Sequence, residues 1–141
     1  MQDAVAAYCA ASQANDMDAL AATFAADIRL PSPLSRRLLF RGREDVRYLL
    51  GCVYDTISHV RWDDPVGDGP TRLAVCEANV GGLRIDDAMV FELDDNGLIR
   101  TIRPHLRPWL ATTLFALLVG PKVARRPGML GRALRAASPS D

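Results

Sequence analysis

Apolar side chains recur with a helical period in the first part of the chain and with a strand period further along. Over residues 3 to 13 they return at steps of three and four, which predicts a helix with one buried face. Asp16 is a residue type that caps helix N-termini, so a second helix is expected to carry Leu20 and Phe24 toward the same core. The buried face of the first helix is expected to contain Val5, Tyr8, Cys9 and Ser12.

Prolines end this helical pattern. Pro31 and Pro33 predict an extended elbow over residues 27 to 34, around Ser32. The reason is that proline fixes its own φ and keeps the preceding residue out of the helical region. The loop is expected to run on to Phe40.

A third helix and a series of strands are expected after this loop. The helix should begin at Gly42 and end near Ser58, because apolar residues between them keep a helical spacing. From His59 the period changes to two, which predicts a sheet. The strands are expected at residues 59 to 63, 71 to 80, 83 to 93 and 98 to 107. Helices followed by strands predict a segregated α+β fold with an antiparallel meander.

Composition limits the classes of function. The 141 residues, 49% of them apolar, predict one domain whose core is large enough to surround a cavity. Seventeen basic and seventeen acidic residues cancel, so a nucleic-acid partner is not expected. An odd number of cysteines within apolar segments predicts free thiols, and the first residues predict a helix rather than a secretion leader. A cytoplasmic location is therefore expected.

Several local strings, together with the order of the elements, resemble the SnoaL-like branch of the nuclear transport factor 2-like superfamily. The strings are residues 14 to 20, 24 to 28, 40 to 44 and 94 to 99. The resemblance implies a cone-shaped curved antiparallel sheet wrapped around N-terminal helices, with a small-molecule pocket inside. It implies a domain over residues 1 to 108 and a C-terminal helical extension with a basic tail over residues 109 to 141. That fold hosts isomerases, hydrolases, cyclases, dehydratases and binding modules, so it does not name a reaction.

The resemblance to ketosteroid isomerase-like members can be followed residue by residue. A tyrosine of their first helix donates to the developing oxyanion, and Tyr8 matches that position. A protonated acid gives a second hydrogen bond in those enzymes, whereas the matching position here is Met89. Their general base is an aspartate before a proline of the elbow, whereas this chain has Ser32, whose hydroxyl cannot take a carbon-bound proton unaided. Ordinary steroid isomerase chemistry is therefore not expected.

Members that resemble limonene epoxide hydrolase use two acids and an arginine to hold a water and protonate the epoxide. The matching positions here are Glu77, Asn79 and Pro104, so at most one of the acids is present. The resemblance does not imply that chemistry either.

A carboxyl group on the third predicted strand is the remaining candidate for chemistry. Alternation places Asp87 on the same strand face as Met89 and Phe91, which predicts that it enters the cavity. Burial without a charged partner raises the pKa of a carboxyl group, as a general acid or base requires. Glu77 and Asn79 share a face of the neighbouring strand and are expected to face inward as well. A register shifted by one residue would instead turn inward Arg72, Ala74, Cys76 and Ala78.

These residues suggest a cofactor-free, metal-free acid/base enzyme of the isomerase, cyclase or hydrolase type, acting on a hydrophobic oxygenated metabolite. Asp87 would be the general acid or base, Glu77 its partner and Tyr8 the hydrogen-bond donor. The side chains expected to bind the substrate are Ser32, Asn79, Met89, Phe91 and Tyr54. The alternatives are that Asp87 faces water and that Tyr8 is only a core aromatic. The competing function is a non-catalytic ligand-binding or dimeric accessory module.

The C-terminal segment differs in composition from the rest. Residues 109 to 119 carry no charge and are too few to cross a bilayer. They predict a helix that caps the mouth of the cone or packs against a second subunit in a homodimer. Residues 120 to 141 hold five basic residues and one acid, so contact with an anionic membrane surface is the alternative for this tail. Pro127-Gly128 is expected to interrupt its amphipathic pattern.

Overall fold

The computed structural model describes residues 3–137, in which five helices pack against a curved, unclosed sheet. The helices are α1 (Ala4–Gln13), α2 (Met17–Ala21), α3 (Arg43–Thr56), α4 (Trp109–Val123) and α5 (Pro127–Ala137). The strands are β1 (Phe24–Pro31), β2 (Leu39–Arg41), β3 (Ser58–Trp62), β4 (Thr71–Val80), β5 (Leu83–Leu93), β6 (Ile99–Arg103) and β7 (Leu106–Arg107). The predicted α+β class is confirmed.

The sheet is mixed rather than purely antiparallel. Its strand order is β2-β1-β6-β5-β4-β3, and β7 pairs with β5 outside that path. Neighbouring strands run antiparallel except for β1 and β6, which are parallel. The predicted meander is confirmed for β3 to β6 and wrong for the sheet as a whole. Alternation along a strand shows which side a residue faces, and it does not show which strand lies beside it.

The second helix begins as predicted and ends earlier. The Asp16 carboxylate caps α2 by accepting a hydrogen bond from the Ala19 amide at 3.0 Å. Phe24, predicted on this helix, is instead the first residue of β1, where it is fully buried and pairs with Ile99. A strand that enters the core buries this ring as completely as a helix does, so burial alone did not distinguish the two.

The predicted elbow over residues 27 to 34 is extended, but most of it belongs to β1. Pro31 ends the strand and pairs with Leu39, and the Ser32 amide donates to the Leu38 carbonyl at 3.0 Å. The chain then reverses into β2, within the stretch that was predicted to be a loop. This reversal places Ser32 at the end of the sheet.

A proline splits the last predicted strand, residues 98 to 107, into β6 and β7. β6 ends at Arg103 and β7 begins at Leu106, and the two pair with different parts of β5. Pro104 has no amide hydrogen to give to a ladder, so the irregularity that the sequence predicted at this position is confirmed.

The two C-terminal helices fold back onto the sheet and α3. α4 buries Phe115 and Val119, and α5 packs on β2. α4 ends at Val123 and Pro127 is the first residue of α5, a position that tolerates proline, so the helical pattern of the tail is interrupted just before Pro127 rather than at it. Arg132 of α5 makes two hydrogen bonds of 2.9 Å to the Asp45 carboxylate of α3. None of the helices in residues 3–137 combines the length and the apolar composition that a membrane-spanning segment needs.

Gly42 fixes the start of α3. Its φ of +87° and ψ of 152° lie in a region that residues with a Cβ avoid. Its amide donates to the Ile28 carbonyl at 2.8 Å, which ties α3 to β1. A Cβ at this position would meet no atom within 4 Å. A substitution here therefore tests the backbone conformation and not the packing.

We expect Gly42→Ala to lower the free energy of unfolding by about 1–3 kcal/mol, because alanine is strained at this φ and ψ. The matched control is Gly51→Ala, inside α3, where a Cβ would meet only the Met17 sulfur at 4.0 Å. That change should raise the free energy of unfolding by roughly 0.5–1 kcal/mol through helix propensity. Urea unfolding measures both. Equal effects of the two substitutions would contradict the account of strain at Gly42.

Candidate active site

A cavity of about 280 Å³ lies between the concave face of the sheet and helices α3, α4 and α5. Its wall is almost entirely apolar, with side chains that include Leu30, Phe40, Leu50, Ile85, Met89, Leu106, Phe115 and Val119. The polar side chains on the wall are Ser32, Tyr54, Cys76 and Asp87. An apolar enclosure with a few polar groups is the usual composition of a small-molecule site.

Asp87 is the ionisable carboxyl group on this wall. β5 alternates so that Ile85, Asp87 and Met89 are all buried on the concave side, and Asp87 is 9% exposed. Burial raises the pKa of Asp87 to about 7, although one hydrogen bond from the His105 amide acts in the opposite direction. No cation within residues 3–137 forms an ion pair with it. Near neutral pH this carboxyl group can therefore both accept and donate a proton.

The two oxygens of Asp87 have different surroundings. Oδ1 accepts the hydrogen bond from the His105 amide at 3.0 Å. Oδ2 has no hydrogen-bond partner among residues 3–137, and the Asp87 side chain lines the cavity. Oδ2 is thus the atom available to a ligand.

The amide that binds Asp87 takes no part in the backbone ladder, because of the break between β6 and β7. His105 follows Pro104 and lies between the two strands. Its carbonyl accepts from the Ala88 amide at 3.0 Å, while its own amide donates to the Asp87 side chain. A continuous strand would use that amide in the backbone ladder. The proline therefore contributes to the site indirectly, by leaving a backbone donor for the carboxylate.

Two tyrosines form a second polar feature of the site. The hydroxyl oxygens of Tyr54, on the cavity wall, and Tyr8, behind it, are 2.7 Å apart, and either can be the donor. Burial raises the pKa of both hydroxyls well above the usual range, so both are neutral near pH 7. When Tyr8 donates to Tyr54, the Tyr54 proton is available to a ligand in the cavity.

Tyr8 is held from behind and does not line the cavity. Its ring packs edge-on against Phe91 and Trp62, with ring centroids 5.2 and 6.0 Å away. The Trp62 indole in turn donates to the Ser12 hydroxyl at 2.7 Å. Tyr8 was predicted to reach the substrate directly, and the structure instead places it against Tyr54. Phe91, predicted to bind the substrate, is fully buried in the same aromatic cluster and is absent from the wall.

Glu77 and Asn79 lie on the outer surface of the sheet, so their predicted inward orientation was wrong. Glu77 pairs with Arg61 and Arg84, and Asn79 lies beside the His59 ring. Val75, which shares their face, is 38% exposed. The pairing of Cys76 with Asp87 across β4 and β5 sets this register. The residues of β4 that are buried on the concave side are Ala74, Cys76 and Ala78, as in the alternative register.

The remaining predicted residues lie on the wall. Ser32, Met89 and Tyr54 all contact the cavity, and their roles in binding stay predictions. The Ser32 hydroxyl accepts from the Leu34 amide at 3.1 Å, so it also stabilises the turn. Cys76 and the His105 amide were missed as parts of the site. The alternative register pointed to the cysteine, and the proline break pointed to the amide.

Three comparisons relate this geometry to known proteins. A family model for the SnoaL-like domain matches residues 5–102, and no curated protein sequence matches the chain. A bacterial protein with a cystatin-like fold from Silicibacter pomeroyi superposes with a TM-score of 0.85 at 23% identity, over 94% of this chain and 95% of that one. A steroid delta-isomerase from Pseudomonas aeruginosa superposes with a TM-score of 0.79 at 18% identity, over 89% of this chain and 92% of that one. These identities establish the fold alone.

The burial of Asp87 predicts a specific dependence of stability on pH. Its pKa is raised from 3.8 to about 7, so between these values the folded protein keeps a proton that the unfolded chain has lost. The contribution of this group to stability is therefore full below about pH 4 and is lost as the pH rises through about 7. The loss should be on the order of a few kcal/mol. Urea unfolding of the wild type and of Asp87→Asn between pH 4 and 8 measures it.

The asparagine variant should lack this decline, because it has no proton to release. Asp86→Asn is the matched control, since Asp86 directly precedes Asp87 in β5 and accepts a hydrogen bond from Arg84 at 3.2 Å on the outer face. The control should keep the wild-type decline. Parallel curves for the wild type and Asp87→Asn would show that Asp87 does not titrate near neutral pH.

Proposed function

Because the chain belongs to the SnoaL-like domain family, we propose that its cavity binds a hydrophobic, oxygenated small molecule and that Asp87 transfers a proton to and from it without a cofactor. The observation that carries this proposal is a carboxyl group with a pKa of about 7 in an apolar cavity wall, where one backbone amide binds one of its two oxygens. A group that titrates near the working pH is the best general acid or base.

The reaction that this pair of polar groups supports is proton transfer next to a carbonyl. The Asp87 carboxylate takes a proton from the carbon beside the carbonyl through Oδ2. The electron pair of the broken C–H bond forms a C=C bond, and the carbonyl π electrons move onto the oxygen. The substrate is then an enolate with its negative charge on that oxygen. The Tyr54 hydroxyl donates a hydrogen bond to that oxygen, and protonated Asp87 then returns the proton to carbon. Atoms and charge balance, since the proton and the electron pair both return to the substrate.

Tyr8 acts as a positioning residue in this scheme. By donating to the Tyr54 oxygen it fixes the direction of the Tyr54 proton, and a hydroxyl that accepts a hydrogen bond becomes a stronger donor. Glu77 has no part, because its carboxylate is engaged by arginines on the far side of the sheet. The proposed catalytic residues are therefore Asp87 and Tyr54.

The size of the cavity limits the substrate. Its volume of about 280 Å³ is at the lower end of the range for ligand pockets. An apolar cavity of about 150 Å³ accepts benzene, so this one has room for roughly two fused rings. A bicyclic ketone such as 2-tetralone is a suitable probe, because it is apolar and carries exchangeable hydrogens beside its carbonyl.

A ligand carrier is the second candidate function. It is favoured by Met89, which lines the cavity wall. The resemblance to ketosteroid isomerases places a second hydrogen-bond donor at this position, and a methionine cannot donate. Such a protein would bind 2-tetralone without accelerating hydrogen exchange. The exchange assay described below separates the two functions.

Location and assembly belong to the same proposal. Free thiols at Cys9, Cys52 and Cys76 support a cytoplasmic protein, because that compartment keeps thiols reduced. Leu73 and Val75 are partly exposed on the outer face of the sheet, which supports a homodimer that covers them.

We expect Asp87→Asn to lower the exchange of the α-hydrogens of 2-tetralone in D₂O by about a hundredfold or more, because the amide cannot take a proton. The wild-type rate above the buffer background should rise with pH through about 7 and then level off, as the carboxylate forms. Proton NMR measures the exchange, and calorimetry measures the binding. Asp86→Asn should leave both unchanged. Unaltered exchange in an Asp87→Asn protein that still binds the ketone would refute the role of Asp87.

Removing each tyrosine hydroxyl tests the order of the hydrogen-bonded pair. Tyr54→Phe removes the donor in the cavity and should lower exchange by roughly a hundredfold. Tyr8→Phe leaves that donor in place and should cost about tenfold or less, since only its orientation is lost. The two variants should be compared at equal stability. If Tyr8→Phe then lowered the exchange rate more than Tyr54→Phe did, Tyr8 would be the direct donor.

A further inference from the structure

Helix α4 is apolar on both of its faces. Its inner side chains, among them Phe115 and Val119, line the cavity. Its outer side chains Trp109, Leu110 and Leu117 are exposed by 77%, 56% and 67%. From residue 108 to residue 121 the chain has no charged side chain. A helix on a protein surface normally presents charged residues outward, whereas a helix that is apolar all round is normally covered on both sides.

The outer apolar residues of α4 form one continuous stripe. Their spacing of four, seven, eight and eleven residues from the first places them on the same side of the helix. The stripe consists of Leu110, Leu117, Leu118 and Pro121, which are exposed, and of Leu114, which is half-buried and packs partly against the core. The polar side chain nearest to it, Thr113, is already satisfied, because its hydroxyl donates to the Trp109 carbonyl at 2.8 Å. The stripe therefore offers apolar contact and no hydrogen bonds.

Basic side chains adjoin one end of this stripe and outnumber the acids beside them. Residues 96 to 140 contain eight basic residues and no acid. Arg125 and Arg126 follow the end of α4 and form no ion pair within residues 3–137, and the Arg126 guanidinium lies 4.0 Å from the centre of the Tyr48 ring. They line a groove that also holds two bases and two acids, namely Arg47, Lys122, Glu44 and Asp55, so positive charge is in excess there. At the other end, Arg107 lies opposite Asp86 of β5. The apolar face is thus bordered by positive charge at its C-terminal end.

The cavity opens beside the same face. Most of its wall is buried, but Leu34 and Gly120 are exposed, which places the mouth between the turn after β1 and the last turn of α4. Gly120 lies three residues after Leu117, so the mouth adjoins the stripe. A surface that covers α4 would therefore lie beside the mouth of the cavity.

We propose that the outer face of α4 docks on an anionic lipid bilayer, with the stripe in the interfacial region and Arg125 and Arg126 on the head groups. A bilayer supplies both features that the face requires, an apolar layer and negative charge. Trp109 at the end of the helix is of the residue type that favours the membrane interface. A second copy fits less well, because two α4 faces packed about a twofold axis would both bring basic residues and no acid from this segment.

The docking does not depend on the proposed catalysis. If the cavity also has the function proposed above, docking brings its mouth to the lipid surface and selects substrates that dissolve in membranes. That consequence rests on the proposed function, whereas binding of the chain to vesicles does not. Asp87→Asn should therefore bind vesicles as the wild type does.

Sedimentation with vesicles tests the docking. The full chain should pellet with vesicles of phosphatidylcholine and phosphatidylglycerol and much less with phosphatidylcholine alone. Leu117→Glu should weaken the vesicle binding by at least about tenfold, because it places a charge in the stripe. Val66→Glu is the matched control, since Val66 is 65% exposed but lies in the loop before β4. Arg125→Glu should reduce binding to the anionic vesicles.

Further measurements make each outcome decisive. Thermal unfolding shows whether the variants are folded. The tryptophan emission should shift to the blue with anionic vesicles in the wild type and not in Trp109→Phe, in which only Trp62 emits. A chain that stays in the supernatant with anionic vesicles would overturn the proposal, as would equal losses in Leu117→Glu and Val66→Glu. A dimer in solution that Leu117→Glu converts to monomers would show that a second copy covers α4 instead.

Discussion

The burial of one carboxyl group in an apolar wall is the constraint on which the site depends. Moving Asp87 away from water disfavours its charged form, and this cost is what raises its pKa to about 7. A neighbouring arginine would remove the cost and would also lower the pKa to a range where the group is permanently ionised. The structure instead supplies one backbone amide, from His105, to one oxygen. That partial compensation keeps the carboxyl group buried and still able to change its charge.

The same site shows how the fold can keep a pocket while its polar groups change position. The resemblance to ketosteroid isomerases places a base before the elbow proline and a second donor at Met89, and both positions lack the required side chain here. Asp87 lies two residues before Met89 on the same inward face of β5, so a carboxyl group still enters the cavity. Tyr54, from α3, holds the donor that faces it, with Tyr8 behind. A curved sheet packed on helices offers many inward positions, so the fold does not fix the reaction.

Helix α4 links the cavity to the surface of the molecule. Its inner face closes the apolar wall with Phe115 and Val119, and its outer face exposes Leu110 and Leu117. Because this part of α4 has no charged side chain, it can close the apolar cavity on one side. For the same reason its other side exposes apolar side chains to water. The contacts of α5 with β2, and the pair between Arg132 and Asp45, hold the following helix against the rest of the fold. The C-terminal segment thus contributes both to the pocket and to the proposed docking surface.

The sequence by itself determined the α+β class, the presence of α1 to α3 and of β3 to β6, the helix cap at Asp16 and the irregularity at Pro104, because each depends on local spacing or on the chemistry of one residue. It also predicted the inward orientation of Asp87. Only the tertiary structure decided that Glu77 and Asn79 face outward and that Tyr8 lies behind Tyr54. It also decided that β1 runs parallel to β6 and that a backbone amide binds the carboxylate. A period of two leaves the choice of face open until the neighbouring strand is known, since a shift of one residue reverses every side chain. Partners that are distant in sequence are likewise brought together by packing, which local pattern does not contain.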